Sequence, residues 1–483
     1  MCSFILLISD NKIDKKIFLA ANSGIQSRGP DITNSFFLEE NEFNVASIHN
    51  LLDISGYSIK QPLYDNKSSK LLLFNGEIYE PTKKNTPDSM LLFEEFQNNN
   101  LNDFLENSQG EFVISALDLK KKTINLFVDL IGTKPLSYAI QDGKIGLSTY
   151  DCALEQLGFK SIIKVSPNKK IQINFADLNK PELRCEDLYS LSLKQNKDTF
   201  DDWNNSFLNS VRKRASFFNT KFFVPLSSGY DSGAICAALN HLKIPYTTVT
   251  IGDSENLEIL QKRIQINNNR SCLEHIQLDS CSWKDYVRTS KLINKEIGCI
   301  RYFHHDDGKS ESEPRKLHDD PGSIGMYLIC KEMRSRCFNA VLSGTGADEI
   351  FSDYGHGGTK YYPHSEFGGL FPDELEGFFP WKKFYGDSQR SYLLKDEMIA
   401  GLFAIEGRYP FLDKDLIQQF LSISPELKNC CYKNCIANFL KIHDYPFIEE
   451  QKIGFVPQKT LFSLREKIEY RLRNMLGLNQ PNG

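Results

Sequence analysis

The chain has 483 residues, 41% hydrophobic, 25% charged and 12% aromatic, a length that predicts two or three domains, each able to bury its own core. Its 57 basic and 62 acidic residues leave a net charge of −5, too mild for a nucleic-acid or membrane partner, and its apolar runs, of which Phe4–Ile8 is typical, fall well short of the ~18 residues of a membrane span. Twelve cysteines without a repeating spacing, behind an N-terminus that has no basic, signal-like segment, predict a reduced, cytoplasmic setting.

Residues 2–190 predict short antiparallel strands: Phe4–Ser9, Leu71–Phe74, and the pair Glu111–Leu117 and Thr123–Val128 flanking a lysine-rich turn as a hairpin. Leu191–Asp202 is polar and predicts the boundary. The rhythm then changes. Ser206–Phe217 carries apolar residues at helical spacing, Phe222–Leu226 predicts a strand, and a Ser/Gly turn leads into the apolar stretch Ala234–Leu242. Strand Tyr246–Ile251, helix Asn256–Gln265, strand His275–Leu278, helix Gly325–Arg336 and strand Ala340–Leu342 follow. Strands alternating with helices predict a parallel α/β sheet over 200–483.

Several residues suggest chemistry by type and position. If Met1 is removed, Cys2 carries both a thiol and a free α-amine, whose pKa of ~7.7–8 lets it serve as the thiol's own base. Asn75-Gly76, taken alone, reads as an ordinary hairpin turn, since the dipeptide favours type I′ geometry. Ser227-Ser228-Gly229-Tyr230-Asp231-Ser232 lies between a predicted strand and a predicted helix, where successive N–H groups and the helix dipole favour phosphate. Leu342-Ser343-Gly344-Thr345-Gly346-Ala347-Asp348-Glu349 again follows an apolar strand, and no Walker A pattern occurs. His304, His305, Asp306 and Asp307, with His318, Asp319 and Asp320, read as a solvated loop, a substrate loop or metal ligands. Cys430, Cys431 and Cys435 have no second ligand pair and read as buried thiols.

Taken together these motifs resemble the asparagine synthetase family. In the first domain Arg28-Gly29-Pro30-Asp31, Phe74-Asn75-Gly76-Glu77-Ile78-Tyr79, Asp88-Ser89 and Asp129-Leu130-Ile131-Gly132-Thr133-Lys134-Pro135-Leu136 are similar to class II glutamine amidotransferases. In the second, the Ser227–Ser232 segment resembles the pyrophosphate loop of N-type ATP pyrophosphatases. Leu342–Phe351, Glu406-Gly407-Arg408-Tyr409-Pro410-Phe411-Leu412-Asp413 and Lys452-Ile453-Gly454-Phe455 resemble further family motifs. The resemblance implies an Ntn-hydrolase-like αββα glutaminase sandwich over 2–190 and an adenine-nucleotide-hydrolase-like synthetase domain over 200–483. Cys2 is then the nucleophile, Asn75 and Gly76 the oxyanion donors, and Arg28, Glu77 and Asp88 glutamine-binding residues. Leu226, Ser227, Ser228, Gly229, Asp231, Ser232, Ser343, Gly344 and Asp348 bind ATP, with Asp231 and Asp348 holding Mg²⁺. Lys452 neutralises the acyl-adenylate and pyrophosphate. The implied reaction is amidation of an acid, aspartate by default, with glutamine-derived ammonia; the alternative is an amine-using ligase of the β-lactam synthetase or lasso-cyclase kind. The resemblance is also compatible with a homodimer.

The chain departs from the family at five places, one of them the segment 301–323, which stands where the family's aspartate-binding stretch should lie and implies a rebuilt acceptor pocket. Ser3 follows Cys2 where Gly is usual, and Ser228 replaces a loop glycine. Leu51 stands where an arginine clamps the glutamine α-carboxylate, and Thr345 where a glutamate is credited with taking a proton from the attacking ammonia.

Overall fold

The computed structural model describes residues 2–83, 86–217, 220–252, 255–298 and 316–449. Two six-stranded antiparallel sheets form the N-terminal part. The first is ordered Ile163–Lys164, Ser137–Gln141, Lys144–Ser148, Ser3–Ser9, Asn44–Leu51, Ile32–Glu39. The second is ordered Glu182–Asp187, Lys169–Asn174, Thr123–Val128, Gln109–Asp118, Lys70–Glu80, Leu63–Asp65. Side chains alternate across each strand, so Phe4, Leu6 and Ile8 meet Leu71, Leu73 and Val113 between the sheets. Ile5 and Leu7 point the other way, into a core shared with Phe18 and Leu154 of the short helices Lys15–Ala20 and Asp151–Gln156. Leu72 and Phe74 pack beneath Leu92 and Phe96 of helix Asp88–Gln97. Burial on both faces explains why these strands read as continuous apolar runs. The resulting layers are helix, sheet, sheet, helix.

The strand expected over Leu71–Phe74 extends to Glu80 and runs straight through Asn75-Gly76, so the hairpin-turn reading of that pair is corrected. Gly76 pairs with Phe112 at φ +136°, and a Cβ there would lie 2.0 Å from the Glu111 carbonyl oxygen. Only glycine fits so close to the neighbouring strand.

The C-terminal part has a five-stranded parallel sheet, ordered Cys272–Leu278, Tyr246–Ile251, Phe222–Pro225, Ala340–Leu342, Glu406–Arg408. Two helices begin earlier than the apolar spacing alone predicts. One spans Asp201–Ser216, with Asp201 and Asp202 complementing the dipole in its first turn; the other spans Pro321–Ser335, where the Asp320 side chain accepts from the Ser323 N–H and Pro321 fixes the start. Among the described residues no helix is long and apolar enough to cross a membrane.

Buried charge as well as apolar contact joins the two parts. Lys134 Nζ donates to Glu397 Oε1 (3.0 Å) and to the Gly407 carbonyl (2.9 Å). Arg28 Nη1 donates to the Met398 carbonyl (3.0 Å) and lies 3.7 Å from Glu397. Glu111 accepts from Arg214 Nε (2.7 Å) and from the Tyr409 N–H (2.9 Å). These five long charged side chains are at most 2% exposed. Removing one member of such a group strands its partners in a poorly solvated interior, typically at ~3–5 kcal/mol.

Candidate active sites

Cys2, Gly76, Glu77, Asp88, Leu51 and Glu406 line one pocket. Strand Ser3–Ser9 brings in Cys2, strand Lys70–Glu80 brings Asn75, Gly76 and Glu77, and Asp88 opens the helix Asp88–Gln97. The Cys2 backbone nitrogen donates to Asn75 Oδ1 at 2.9 Å, which fixes the amide's orientation. Asn75 Nδ2 is then buried with no hydrogen-bond partner among the described residues, an available donor beside the thiol. Burial raises the Cys2 thiol's pKa, Glu406 and Asp88 add to that, and a backbone hydrogen bond at Leu52 opposes it.

Carboxylates dominate the pocket. Burial pushes Asp88 up to about 6, against the N–H groups of Ile78 (3.2 Å) and Ser89 (2.7 Å) that favour its charged form. Burial, Glu406 and Asp88 push Glu77 further, well above the carboxylate range. Glu406 alone is held low: burial would raise it, but Arg408 at 2.7 Å brings it to about 2. No lysine or arginine is among the described residues that line this pocket. Arg28, expected there, is instead turned into the interface against Glu397 and stacks over the Tyr150 ring at 5.0 Å.

The second cluster sits at the C-terminal ends of two neighbouring parallel strands, where α/β sheets place their ligands. The loop after Phe222–Pro225 carries Leu226, Ser227, Ser228 and Gly229 into the helix Tyr230–Leu242, with Asp231 and Ser232 in its first turn. Ser232 Oγ accepts from the Ser227 N–H (3.0 Å), and buried Arg263 ties down the loop through the Ser227 and Gly229 carbonyls (2.6 and 2.7 Å). The Ser228 N–H donates to the Glu255 carboxylate at 2.6 Å, so this turn already receives an anion. Gly344, in the loop after Ala340–Leu342, lies against Asp231: a Cβ there would be 2.9 Å from that of Asp231.

Asp231 and Asp348 converge on one cation, the Lys433 ammonium, at 2.7 and 2.8 Å. Tyr432 donates its hydroxyl to Asp348 at 2.7 Å. Burial works against the Lys433 charge, but the two aspartates hold it above the usual lysine range. Two carboxylates directed at one positive centre are a donor set that fits a hard divalent ion. Lys433, Tyr432, Glu255 and Arg263 were not anticipated from sequence; a lysine in a cysteine-rich stretch gives no periodic or motif signal. Lys452 lies outside the described residues, as does the 304–307 segment.

At Thr345 the structure adds a partner. Thr345 Oγ1 donates to Asp396 Oδ2 at 2.6 Å, and Ser343 Oγ donates to the same oxygen at 3.0 Å. Asp396 is buried in the helix Asp387–Gly401, and Lys395 beside it faces Asp320 at 3.5 Å. Asp320 thus belongs to this polar cluster and the cap of Pro321–Ser335. Among the described residues no group of three or more His, Cys, Asp or Glu is arranged to hold a metal. Of the three cysteines expected to be buried, Cys435 is buried but Cys430 is exposed, in the bend after helix Pro425–Lys428.

Residues 1–175 match the family model described as glutamine amidotransferase domain, and residues 202–398 match asparagine synthase. A Methanocaldococcus jannaschii chain with the provisional name asparagine synthetase [glutamine-hydrolyzing] 1 is 25% identical, over 89% of this chain and 81% of its own. The asparagine synthetases [glutamine-hydrolyzing] of Asparagus officinalis and Homo sapiens are 24% and 23% identical, over 89% and 84% of this chain and 70% and 74% of theirs. Matches to both halves, in this order and with relatives spanning most of the chain, place it in the asparagine synthetase family, as a carbon–nitrogen ligase that uses glutamine.

Proposed function

We propose that residues 2–190, an Ntn-hydrolase-type glutaminase domain, supply ammonia to a synthetase domain over 200–483 that activates a carboxylic acid with ATP and amidates it, aspartate being the default acceptor and the cytoplasm the setting. The observation that carries this reading is the convergence of Asp231 and Asp348, from two loops at adjacent parallel strand ends, on a single cation.

In the first half-reaction Cys2 Sγ attacks the glutamine side-chain amide and its proton passes to the free α-amine, which returns it to the leaving nitrogen as the C–N bond breaks; ammonia departs, and water then hydrolyses the thioester to glutamate and frees the thiol. The Asn75 Nδ2 donor and Gly76 receive the oxyanion, where one preorganised donor is worth ~3–4 kcal/mol. Asp88, ionised above about pH 6, holds the substrate ammonium. In the second, the loop 226–232 and the helix dipole receive the ATP phosphates, with Ser343 and Gly344 on the opposite wall. Asp231 and Asp348 would hold Mg²⁺, which supplies charge neutralisation of the phosphates. The acid's oxygen displaces pyrophosphate from the α-phosphorus, and ammonia then displaces AMP. Lys452 is the proposed counter-charge to the adenylate and departing pyrophosphate.

Leu51, and a Cys2 pocket whose described lining has no lysine or arginine, favour a second reading, an amine-using ligase with a vestigial glutaminase domain. Both readings are tested by measuring pyrophosphate and AMP over a panel of carboxylic acids, aspartate and amine-bearing acids included, with and without glutamine. Glutamine-dependent turnover, abolished in Asp231→Asn and Asp348→Asn, is expected. Turnover confined to amine-bearing acids and indifferent to glutamine selects the second reading, and formation of ADP and phosphate overturns both.

A further inference from the structure

We infer that Asp396, acting through the Thr345 hydroxyl, accepts the proton released when ammonia attacks the activated acid; this rests on the amide-ligase reading above. Thr345 stands three residues before Asp348 on the loop whose Gly344 touches Asp231, so this loop borders the centre where the acid is activated. A threonine hydroxyl cannot keep a proton near neutral pH, and a base at this step is typically worth ~10²–10⁴-fold. Thr345 is half-buried and Asp396 is 5% exposed, so the carboxylate lies deeper than the hydroxyl it accepts from.

The hydrogen bonds set the direction of transfer. Thr345 gives its hydroxyl proton to Asp396 Oδ2 at 2.6 Å, and Ser343 Oγ lies within hydrogen-bond distance of both that oxygen (3.0 Å) and Thr345 Oγ1 (2.9 Å). The Thr345 N–H donates to Ser343 Oγ at 3.2 Å, which holds the pair together. Thr345 Oγ1, with its own proton given to Asp396 and with Ser343 Oγ on one side, keeps a lone pair for an N–H. As nitrogen bonds to the acyl carbon, one of its protons passes to Thr345 Oγ1 while the threonine proton passes to Asp396 Oδ2. The carbon–oxygen bond to AMP then breaks, its electron pair leaving with the phosphate, and Asp396 returns its proton to water before the next turnover. Lys395, Asp320, Cys330 and Tyr409 are the titratable groups that face Asp396. Burial raises its pKa, against Lys395 and the two hydroxyls, which makes it a better base than an exposed aspartate.

The test uses the full chain with whichever panel acid gives the fastest pyrophosphate release. Asp396→Asn keeps a hydrogen-bond acceptor and loses the base. It should retain acid-dependent exchange of pyrophosphate into ATP while ammonia-dependent amidation falls ~10²–10⁴-fold. Hydroxylamine, a less basic nucleophile, should be affected far less. Thr345→Val, which should give the same split, decides the matter if Asp396→Asn loses exchange through misfolding, and Thr345→Glu added to Asp396→Asn should recover amidation. Amidation within about threefold of the parent in either single variant that retains exchange overturns the relay while leaving the ligase reading intact. A panel on which the parent chain makes neither pyrophosphate nor AMP overturns the ligase reading, and the relay with it.

Discussion

The two pockets lose one charged residue each relative to the family pattern, and the structure treats the losses differently. Behind Thr345 a buried carboxylate stands within 2.6 Å, delivered by a helix that no motif marks. Beside Leu51 the described lining holds Glu77, Asp88 and Glu406 and no cation. A missing base can be replaced by a carboxylate one residue behind, because a hydroxyl passes a proton along. A missing clamp cannot, because a carboxylate needs its cation at contact distance. On the proposed reading the lost base is thus replaced at the activation site, whereas the Cys2 pocket keeps its thiol and buried amide donor but has no lysine or arginine in its described lining. Strand Glu406–Arg408 links them: Glu406 faces the Cys2 pocket, and the Arg408 carbonyl accepts from the Ser343 N–H at 2.9 Å.

Separating the pockets produces the largest effect. Cys2→Ala should eliminate glutamine-dependent amide while ammonia-dependent amide persists, read by supplying each nitrogen source in turn; equal loss of both would erase the distinction between the sites. Asn75→Ala removes the buried oxyanion donor and should cut glutaminase kcat by ~10²–10³-fold with little change in KM. Leu51→Arg supplies the absent cation. A charge-assisted bond of ~1.5 kcal/mol or more should lower the glutamine KM about tenfold, leaving ammonia-dependent turnover unchanged; an unmoved KM would mean that another group already pairs the α-carboxylate. The smallest effect is the pH profile. Because Asp88 is raised to about 6 and binds the ammonium only when ionised, kcat/KM for glutamine should climb as pH rises through that value. In Leu51→Arg the limb should move to lower pH, since a nearby guanidinium favours the charged carboxylate.

Much of this was legible in the sequence. Alternating strands and helices announced the parallel sheet, since strand Tyr246–Ile251 and strand Ala340–Leu342 are short apolar runs between polar turns. Cys2, Asn75, Gly76 and Asp88, spread over 87 positions, do meet in space because strand pairing brings them to one end of a sandwich. Residues that act only through tertiary contact stayed hidden. Asp396 reads as one more polar residue on a helix, and Lys433 as a lysine between cysteines. Arg28 shows the converse: its motif was plain, yet the buried Glu397 opposite, contributed by the other domain, claims its guanidinium. Asn75-Gly76 was ambiguous because a turn and a glycine-only close approach favour the same dipeptide.

The central claim, that this chain activates a carboxylic acid as an acyl-adenylate, is tested most directly with ¹⁸O. When the acid that turns over is labelled in its carboxylate and the products are separated, an acyl-adenylate route must place one ¹⁸O in AMP for every amide formed, with unlabelled pyrophosphate. Label appearing in inorganic phosphate beside ADP, or AMP that stays unlabelled while amide accumulates, would contradict the account.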